Sequence, residues 1–430
     1  MSQQAAHSTG SRKMEGFEES KGTGPFGRGL GAAPPHLINS GFTGGGAAVP
    51  ARFEVARGGK CSYVAGYHMR IAQVITSLGH GGAERVVTDL CRAAVARGDA
   101  VLAVSLRPLP PPGADTLVGE LRAAGVTVTA LGVTKTAPWR IWRLRRTLAA
   151  WRPDVVHAHL FHAALAARLA AAPGRRPWKL FETVHIADRR RGLGGRFWLD
   201  RRTLWRCDAL VAVSAAARDF QAARLGVPPD QIRVIPNGIR PPVRPDAGRI
   251  ARWRAAWGLT DCARVLGAVG RLDPQKGFDR LLALLPDLAR QVPAGERWGL
   301  VILGEGAERP RLEALARQAP ADRLVVCLPG YRSDAAACIG AFDLFVMPSR
   351  YEGYGLTLAE AMAHGVPILA STADSLPELL AGYPGGRCLA GEAWTGAILA
   401  ESAQLARGEP RLSHTVDDMC AAYAALYAAL

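Results

Sequence analysis

The sequence predicts an α/β protein made of two doubly wound parallel-sheet domains. Three observations carry that prediction. Short apolar runs alternate with amphipathic stretches, the alternation comes as two series, and a Pro-rich segment, IRPPVRPDAG at 239–248, divides them. Alternating strands and helices demand a parallel sheet covered on both faces. A length of 430 residues, 49% of them apolar, suits two domains with sizeable cores.

In chain order, residues 1–68 are rich in Gly, Ala, Pro and Ser and lack periodicity, as in FGRGLGAAPP and FTGGGAAVP. Such a stretch buries too little apolar surface to offset chain entropy and reads as disordered. Folded character begins abruptly at Met69. The expectation is that Met69 is the natural start; a native flexible tail is the alternative.

The first series of strands is MRIAQVITSL, ARGDAVLAVSL, AGVTVTAL, RPDVVHAH, WKLFETVH, CDALVAVS and IRVIPNG, with helical stretches such as AERVVTDLCRAAVARG between them. The second is RVLGAVGRL, WGLVILGEG, RLVVCLPG, FDLFVMPS and VPILAS. Residues 69–240 and 241–414 are therefore expected to form one domain each. A C-terminal helix over about 415–430 is expected to pack back on the first.

The bulk properties restrict the function classes. No apolar run of about 18 uncharged residues occurs, so no transmembrane helix is read. The start of the chain lacks a secretory signal pattern. Eight cysteines are scattered without a CxxC pair, which suggests neither a zinc knuckle nor a disulfide framework and fits a reducing cytoplasm. The net charge of +16 is uneven: residues 70–240 hold 27 Lys/Arg against 12 Asp/Glu, and residues 241–430 hold 19 against 21. A basic front half points to an anionic partner, either nucleic acid or a membrane surface.

Ligands of open parallel sheets sit at the carboxyl ends of strands, and the informative residues fall there. In SLGHGGAERVV, from Ser77, Gly81 and Gly82 allow close backbone approach at a helix start that favours an anion. Glu84 stands where a dinucleotide fingerprint needs its third glycine. The next strand ends without an acid for a ribose, so NAD is a weak reading; a plain tight turn is the alternative. In VGRLDPQKGFDRLL, from Val269, Arg271 and Lys276 share a strand-to-helix loop, where two cations beside helix-terminal amides suit a diphosphate. The loop is not a Walker sequence, and a solvated basic loop has the same spacing. RPDVVHAHLFHAAL ends a strand with His157 and His159, with His162 beyond. Further zinc ligands are not evident, so these read as structural histidines or as contacts to a substrate hydroxyl.

YEGYGLTLAEAMAHG, 351–365, places Glu352 at the carboxyl edge of a sheet. Gly353, Tyr354 and Gly355 offer amides at a helix start. Glu360 lies within the helix on an otherwise apolar segment, costly unless its carboxylate accepts hydrogen bonds. A vicinal diol is a suitable donor. The two acids look like clamps on one elongated ligand.

With these residues assembled, the chain from Met69 onward resembles retaining glycosyltransferases of family 4, which have the GT-B fold: two doubly wound Rossmann-like domains facing a central cleft. EGYGLTLAEAMAHGVP matches the family's Glu-x7-Glu segment closely. GGAE, IPNG, GRLDPQKG, LGEG and LPGY follow in family order. The resemblance implies a UDP- or GDP-sugar donor held mainly by the second domain. Arg271 and Lys276 would hold the diphosphate, Glu360 the ribose and Glu352 a hydroxyl of the sugar. The amides of Gly353, Tyr354, Gly355 and Leu356 would line sugar and phosphate. Gly81 and Gly82 would close from the first domain, and His159 would face the transferred sugar. It also implies retention by front-face attack, with leaving-group stabilisation carrying much of the catalysis, and a glycan or lipid-linked acceptor. No cofactor is implied, and the absence of Asp-x-Asp fits a metal-independent class.

Two other readings remain: a nucleotide-sugar epimerase of related fold, and a non-enzymatic basic module for nucleic acid. The second lacks any zinc-finger or aromatic RNP sequence. Finally, WRIWRLRRTLAAWR, from Trp139, puts Ile141, Leu144, Leu148 and Trp151 on one helical face, with Trp139, Trp142, Arg143 and Arg146 pointing away. RRRGLGGRFWLDRRTLWR, from Arg189, repeats the composition. Tryptophans beside arginines suit a lipid headgroup layer, or form an ordinary solvated face.

Overall fold

The computed structural model describes residues 69–79, 81–111, 117–171, 176–186, 194–391, 394–404 and 407–429. The expected disordered stretch, 1–68, lies outside them. In the first half the elements run β1 (Arg70–Ile75), α1 (Gly82–Ala96), β2 (Ala100–Ser105), α2 (Leu117–Ala123), β3 (Thr127–Ala130), α3 (Arg143–Trp151), β4 (Val155–His159), α4 (Phe161–Ala170), β5 (Lys179–Val184), α5 (Gly194–Thr203), β6 (Ala209–Ala212), α6 (Ala215–Leu225) and β7 (Ile232–Val234). Then follow α7 (Ala247–Ala256), β8 (Arg264–Val269), α8 (Phe278–Ala283), α9 (Leu285–Gln291), β9 (Trp298–Leu303), α10 (Arg309–Ala316), β10 (Leu324–Gly330), α11 (Ala335–Cys338) and β11 (Leu344–Met347). The chain ends with α12 (Leu356–Ala363), β12 (Ile368–Ser371), α13 (Leu376–Leu380), β13 (Gly386–Leu389), α14 (Trp394–Ala403) and α15 (Val416–Ala428).

The α/β class stands as the sequence predicts. One sheet has seven strands in the order β3-β2-β1-β4-β5-β6-β7; the other has six, β10-β9-β8-β11-β12-β13. Every strand pair is parallel. Strands β4, β9, β11 and β12 are buried along their whole length, which explains the apolar or small-residue runs of β9, β11 and β12; in β4 the buried His157 and His159 interrupt the run and are hydrogen-bonded. Helices cover both faces. Val86, Val87 and Leu90 of α1 pack on one side of the first sheet, and Leu144 and Leu148 of α3 pack on the other.

Strand order reverses between β1 and β4 in the first sheet and between β8 and β11 in the second. Helices from successive crossovers go to opposite faces there, leaving a crevice at the carboxyl edge. Ile75 and His159 are register partners at the first reversal. The loops carrying Gly81, Arg271, Lys276 and Glu352 leave β1, β8 and β11 at these points.

A single apolar cluster spans both halves, joining Val213 and Leu225 to Trp257, Phe342 and Leu358. The chain crosses between sheets twice, and the crossings touch. Ile239 N–H donates to His414 O at 3.0 Å, and Val416 N–H to Ile239 O at 3.2 Å. A Cβ on Gly238 would collide with the Thr415 carbonyl, so only glycine permits the approach. Thr415 then starts α15 with a capping box to Asp418. This helix lies in the core of the first sheet through Met419, Tyr423, Leu426 and Tyr427.

Candidate active site

The two carboxyl edges border a cleft of about 1980 Å³. From the first sheet it is lined by Ser77, Gly81, Gly82, Phe161, His162 and His185, among others, and from the second by Arg271, Lys276 and Glu352 through Thr357.

Glu352 is the most constrained of these residues. It follows the fully buried β11 and is itself only 4% exposed. Lys276 Nζ donates to its Oε1 at 2.6 Å, and Ser349 Oγ donates to the same oxygen at 2.8 Å. Its backbone N–H donates to Asp374 Oδ2 at 2.8 Å. Asp374 holds a left-handed conformation (φ 43°) that a non-glycine residue adopts at a cost. The turn is fastened to the Lys276 loop as well: Arg350 N–H donates to Gln275 O at 2.7 Å, and Gln275 Nε2 to Tyr351 O at 3.1 Å. The Arg350 guanidinium clasps both oxygens of Asp279, at 2.7 and 2.8 Å, and holds that carboxyl below its usual range. Loops 76 residues apart thus form one unit.

Arg271 is exposed at the cleft and makes no ion pair with another described residue. Gly355 (φ 91°) turns the chain into α12, whose first residue, Leu356, faces the cleft with Tyr354 before it. Opposite stand Gly81 and Gly82 at the start of α1; a Cβ on Gly82 would meet Leu356 Cδ1 at 2.9 Å. Two helix N-termini therefore converge across a narrow gap, each presenting backbone N–H groups to an anion. A Cβ on Gly353 would collide with the His185 carbonyl, so the turn also needs glycine where the halves meet.

Glu360 lies a turn deeper in α12, behind the cleft-lining Leu356 and Thr357. It is half-buried, and its carboxylate makes no hydrogen bond with another described residue. Burial pushes its carboxyl up to about 7, partly opposed by the Arg85 guanidinium.

His159 departs from the sequence expectation. It is fully buried beneath the cleft wall, with Nδ1 2.9 Å from His185 Nε2 and Nε2 2.7 Å from Gln73 Oε1. It is His185 that lines the cleft. The reason is register: His159 is the last residue of a strand sandwiched between β1 and β5, while His185 lies just past the end of β5. Burial drives His157 and His159 well below the usual imidazole range and His185 to about 3, so all three rings are neutral at pH 7.

Sequence reasoning missed His185, Ser349 and Asp374, and on the first sheet a buried charge cluster at the cleft floor. There Arg168 pairs with Glu182 and, at 2.6 Å, with Asp200, while Arg224 reaches the other Asp200 oxygen at 2.9 Å. His185 ends WKLFETVH at a strand's carboxyl edge, the one signal that marked it. Among the described residues, no cluster of His, Cys, Asp or Glu is arranged to hold a metal.

This architecture can grip an elongated anion between two helix N-termini, with cations and a carboxylate on one wall. Comparison with known proteins agrees. Residues 80–241 match the family model described as Glycosyltransferase Family 4, and residues 263–406 match that of Glycosyl transferases group 1. The chain is 31% identical to a D-inositol 3-phosphate glycosyltransferase of Xylanimonas cellulosilytica, over 59% of this chain and 65% of that one. It is 30% identical to the lipopolysaccharide core biosynthesis mannosyltransferase LpsB of Rhizobium meliloti, over 66% of this chain and 77% of that one. It thus spans just under two thirds of the first relative and over three quarters of the second. Among solved structures, Anabaena Alr3699/HepE in complex with UDP-glucose superposes with a TM-score of 0.69 at 21% identity, over 84% of this chain and 100% of that one, a likeness of fold. The chain belongs to glycosyltransferase family 4 and is a glycosyltransferase of the GT-B fold.

Proposed function

We propose that the protein transfers a sugar, with retention of anomeric configuration, from a UDP- or GDP-sugar to a glycan or lipid-linked acceptor. The product belongs to cell-surface polysaccharide or glycolipid synthesis, and the enzyme works in the cytoplasm, in peripheral contact with the inner face of the plasma membrane. One observation carries the reading: Lys276 and Arg271 share a wall with Glu352, facing the amides of Gly81 and Gly82 across the cleft. The glycosyl and mannosyl transfer for which the two relatives are named supports the reaction class, and the UDP-glucose bound by HepE supports the donor class.

In the reaction, the bond from the anomeric carbon to the β-phosphate oxygen breaks. A bond to the acceptor oxygen forms on the same face, and the acceptor's proton passes to the departing phosphate. Arg271, Lys276 and the converging helix N-termini stabilise the charge growing on the diphosphate. Glu352 orients a sugar hydroxyl, and Glu360 accepts from the ribose diol. His159 acts on the sugar only through His185. The residues named supply these contacts without a metal or other cofactor.

A panel of UDP- and GDP-sugars, followed by NMR of the product's anomeric centre, tests the reading. Lys276→Ala should cost about 2–4 kcal/mol of transition-state stabilisation. Near-normal turnover of that variant at saturating donor removes the role of Lys276. Epimerised free sugar without transfer indicates an epimerase instead.

A further inference from the structure

Four tryptophans stand on one helical layer of the first domain with little cover. Trp139 and Trp142 are 63% and 61% exposed in the 3₁₀ turn leading into α3; Trp198, in α5, and Trp205, just after it, are 60% and 62% exposed. The other described tryptophans are buried or half-buried. The segments that carry them belong to one layer, α3 packing on α4 and α4 on α5. Arg168 of α4 is bonded to Asp200 of α5, and Arg206 Nη1 donates to Arg168 O at 3.0 Å. Between the tryptophan-bearing helices, α4 offers half-buried Leu165 and Leu169.

The charge on this layer has one sign. Residues 138–152 contain five arginines and no acid, with Arg143, Arg145, Arg146 and Arg152 exposed. Arg201 and Arg202 are exposed in α5, whose one acid, Asp200, is buried and paired to Arg168 and Arg224. Arg202 lies over the Trp198 ring at 4.9 Å and Arg206 over the Trp205 ring at 4.9 Å. Such pairs hold a cation against an indole at a wet surface, and the exposed Arg202 guanidinium faces solvent where an anion can meet it. Exposed indoles are costly in water and favoured at a headgroup layer, where ring and N–H are both accommodated.

We propose that the α3–α4–α5 face of the first domain docks on an anionic phospholipid surface. It deepens the reading of a membrane-side transferase, and rests on that reading only for its use. The same α4 presents Phe161 and His162 to the cleft, so docking brings the acceptor side of the cleft towards the lipid headgroups. A nucleic-acid strand is the poorer occupant. The aromatics are spread over a helical layer rather than along a groove that tracks a backbone.

Co-sedimentation with vesicles of neutral phosphatidylcholine, or of phosphatidylcholine mixed with phosphatidylglycerol, tests the proposal. The parent should pellet with the anionic vesicles at low salt and leave them at high salt. Trp139→Ser/Trp142→Ser and Trp198→Ser/Trp205→Ser should each weaken partitioning about tenfold or more. Equal recovery with both vesicle types overturns it, as does unchanged partitioning of both variants. It is also overturned if the tryptophans prove to bury a dimer interface, or if single-stranded DNA binds this face and vesicles do not. Calorimetric titration of UDP into the same variants should match the parent. Failure of the parent to bind either UDP or GDP would instead count against the donor reading and leave the vesicle result to stand alone.

Discussion

Glu360 is a half-buried acid whose protonation state can test the proposed ribose contact. With its carboxyl pushed up to about 7 by burial, the folded chain holds this proton more tightly than an unfolded chain does. That contribution to stability is complete below the ordinary glutamate range and is lost as pH rises through 7. Above it, a charged carboxylate sits in the fold with no hydrogen-bond donor among the described residues. Glu360→Gln should therefore raise the melting temperature at pH 8, by an amount equivalent to at most about 3 kcal/mol, and change it little at pH 4.5. A ribose diol donates best to the charged form, so nucleotide binding at pH 7 should release protons in the parent and not in the variant. Calorimetry in buffers of different ionisation enthalpy measures that release. An equal melting shift at both pH values would contradict the account. The sequence showed Glu360 as an acid on an apolar helix, because hydropathy alone marks such a misfit. It did not show the bond from Lys276 to Glu352, since no local pattern records which loops of a two-sheet protein meet. Nor did it place His159 correctly. A histidine at a strand's end faces the cleft or the neighbouring strands according to register, which one sequence leaves open.

At the scale of elements, the start of α6 carries the junction between the two halves. Ser214 caps the helix by accepting from Ala217 N–H at 3.0 Å, and its own hydroxyl donates to Gly353 O at 2.7 Å. Glu378, from α13 of the other half, accepts from Ala215 and Ala216 N–H at 3.1 and 3.3 Å. A carboxylate at a helix N-terminus gains from the helix dipole as well as from the hydrogen bonds. The acid is thus a cap supplied across the domain boundary, next to the Ser214 hydroxyl that holds the glycine turn of Glu352 against α6. Glu378→Ala should lower the unfolding free energy by about 0.5–2 kcal/mol. It should lower turnover more than it changes the donor KM, since the turn would be less firmly placed. Urea titration with steady-state kinetics checks both. Stability and kinetics like the parent's would show that the contact carries no load. Most strands of these halves were legible because parallel strands buried on both faces are largely apolar; β13, GRCL, is buried only at Leu389 and was not read from the sequence. The cap was not legible: SLPELL reads locally as an ordinary helix start, and its partner lies 163 residues away.

For the whole molecule, the C-terminal helix closes the structure and supports the site from behind. After the second sheet the chain returns past Ile239, and α15 lays Tyr423 and Tyr427 against the first sheet. The Tyr427 hydroxyl lies 2.6 Å from His157 Nδ1 and 3.3 Å from Gln73 Nε2; Tyr423 lies 2.9 Å from Thr183 Oγ1, which is 2.8 Å from His157 Nε2. Through Gln73 the network continues to His159 and on to His185 at the cleft. A buried polar chain of this kind is rigid only while every member is satisfied. Tyr427→Phe keeps the ring and removes the hydroxyl, leaving His157 and Gln73 each short of a partner in a site without exposure to water. The expected loss is about 1–3 kcal/mol of stability, with turnover falling because the His185 side of the cleft loosens. Tyr423→Phe deprives Thr183 of one partner while leaving it bonded to His157, so its effect should be smaller. Deleting α15 altogether should be far worse. Met419, Tyr423, Leu426 and Tyr427 are all buried, and at about 1.5–3 kcal/mol for each large apolar side chain the loss rivals the whole stability of a domain. A chain ending at Thr415 should therefore fail to give a cooperative thermal transition. If it melts cooperatively and still binds UDP, the helix is an accessory and the network does not hold the site. If Tyr427→Phe and Tyr423→Phe cost the same, the route through His157 and Gln73 is wrong.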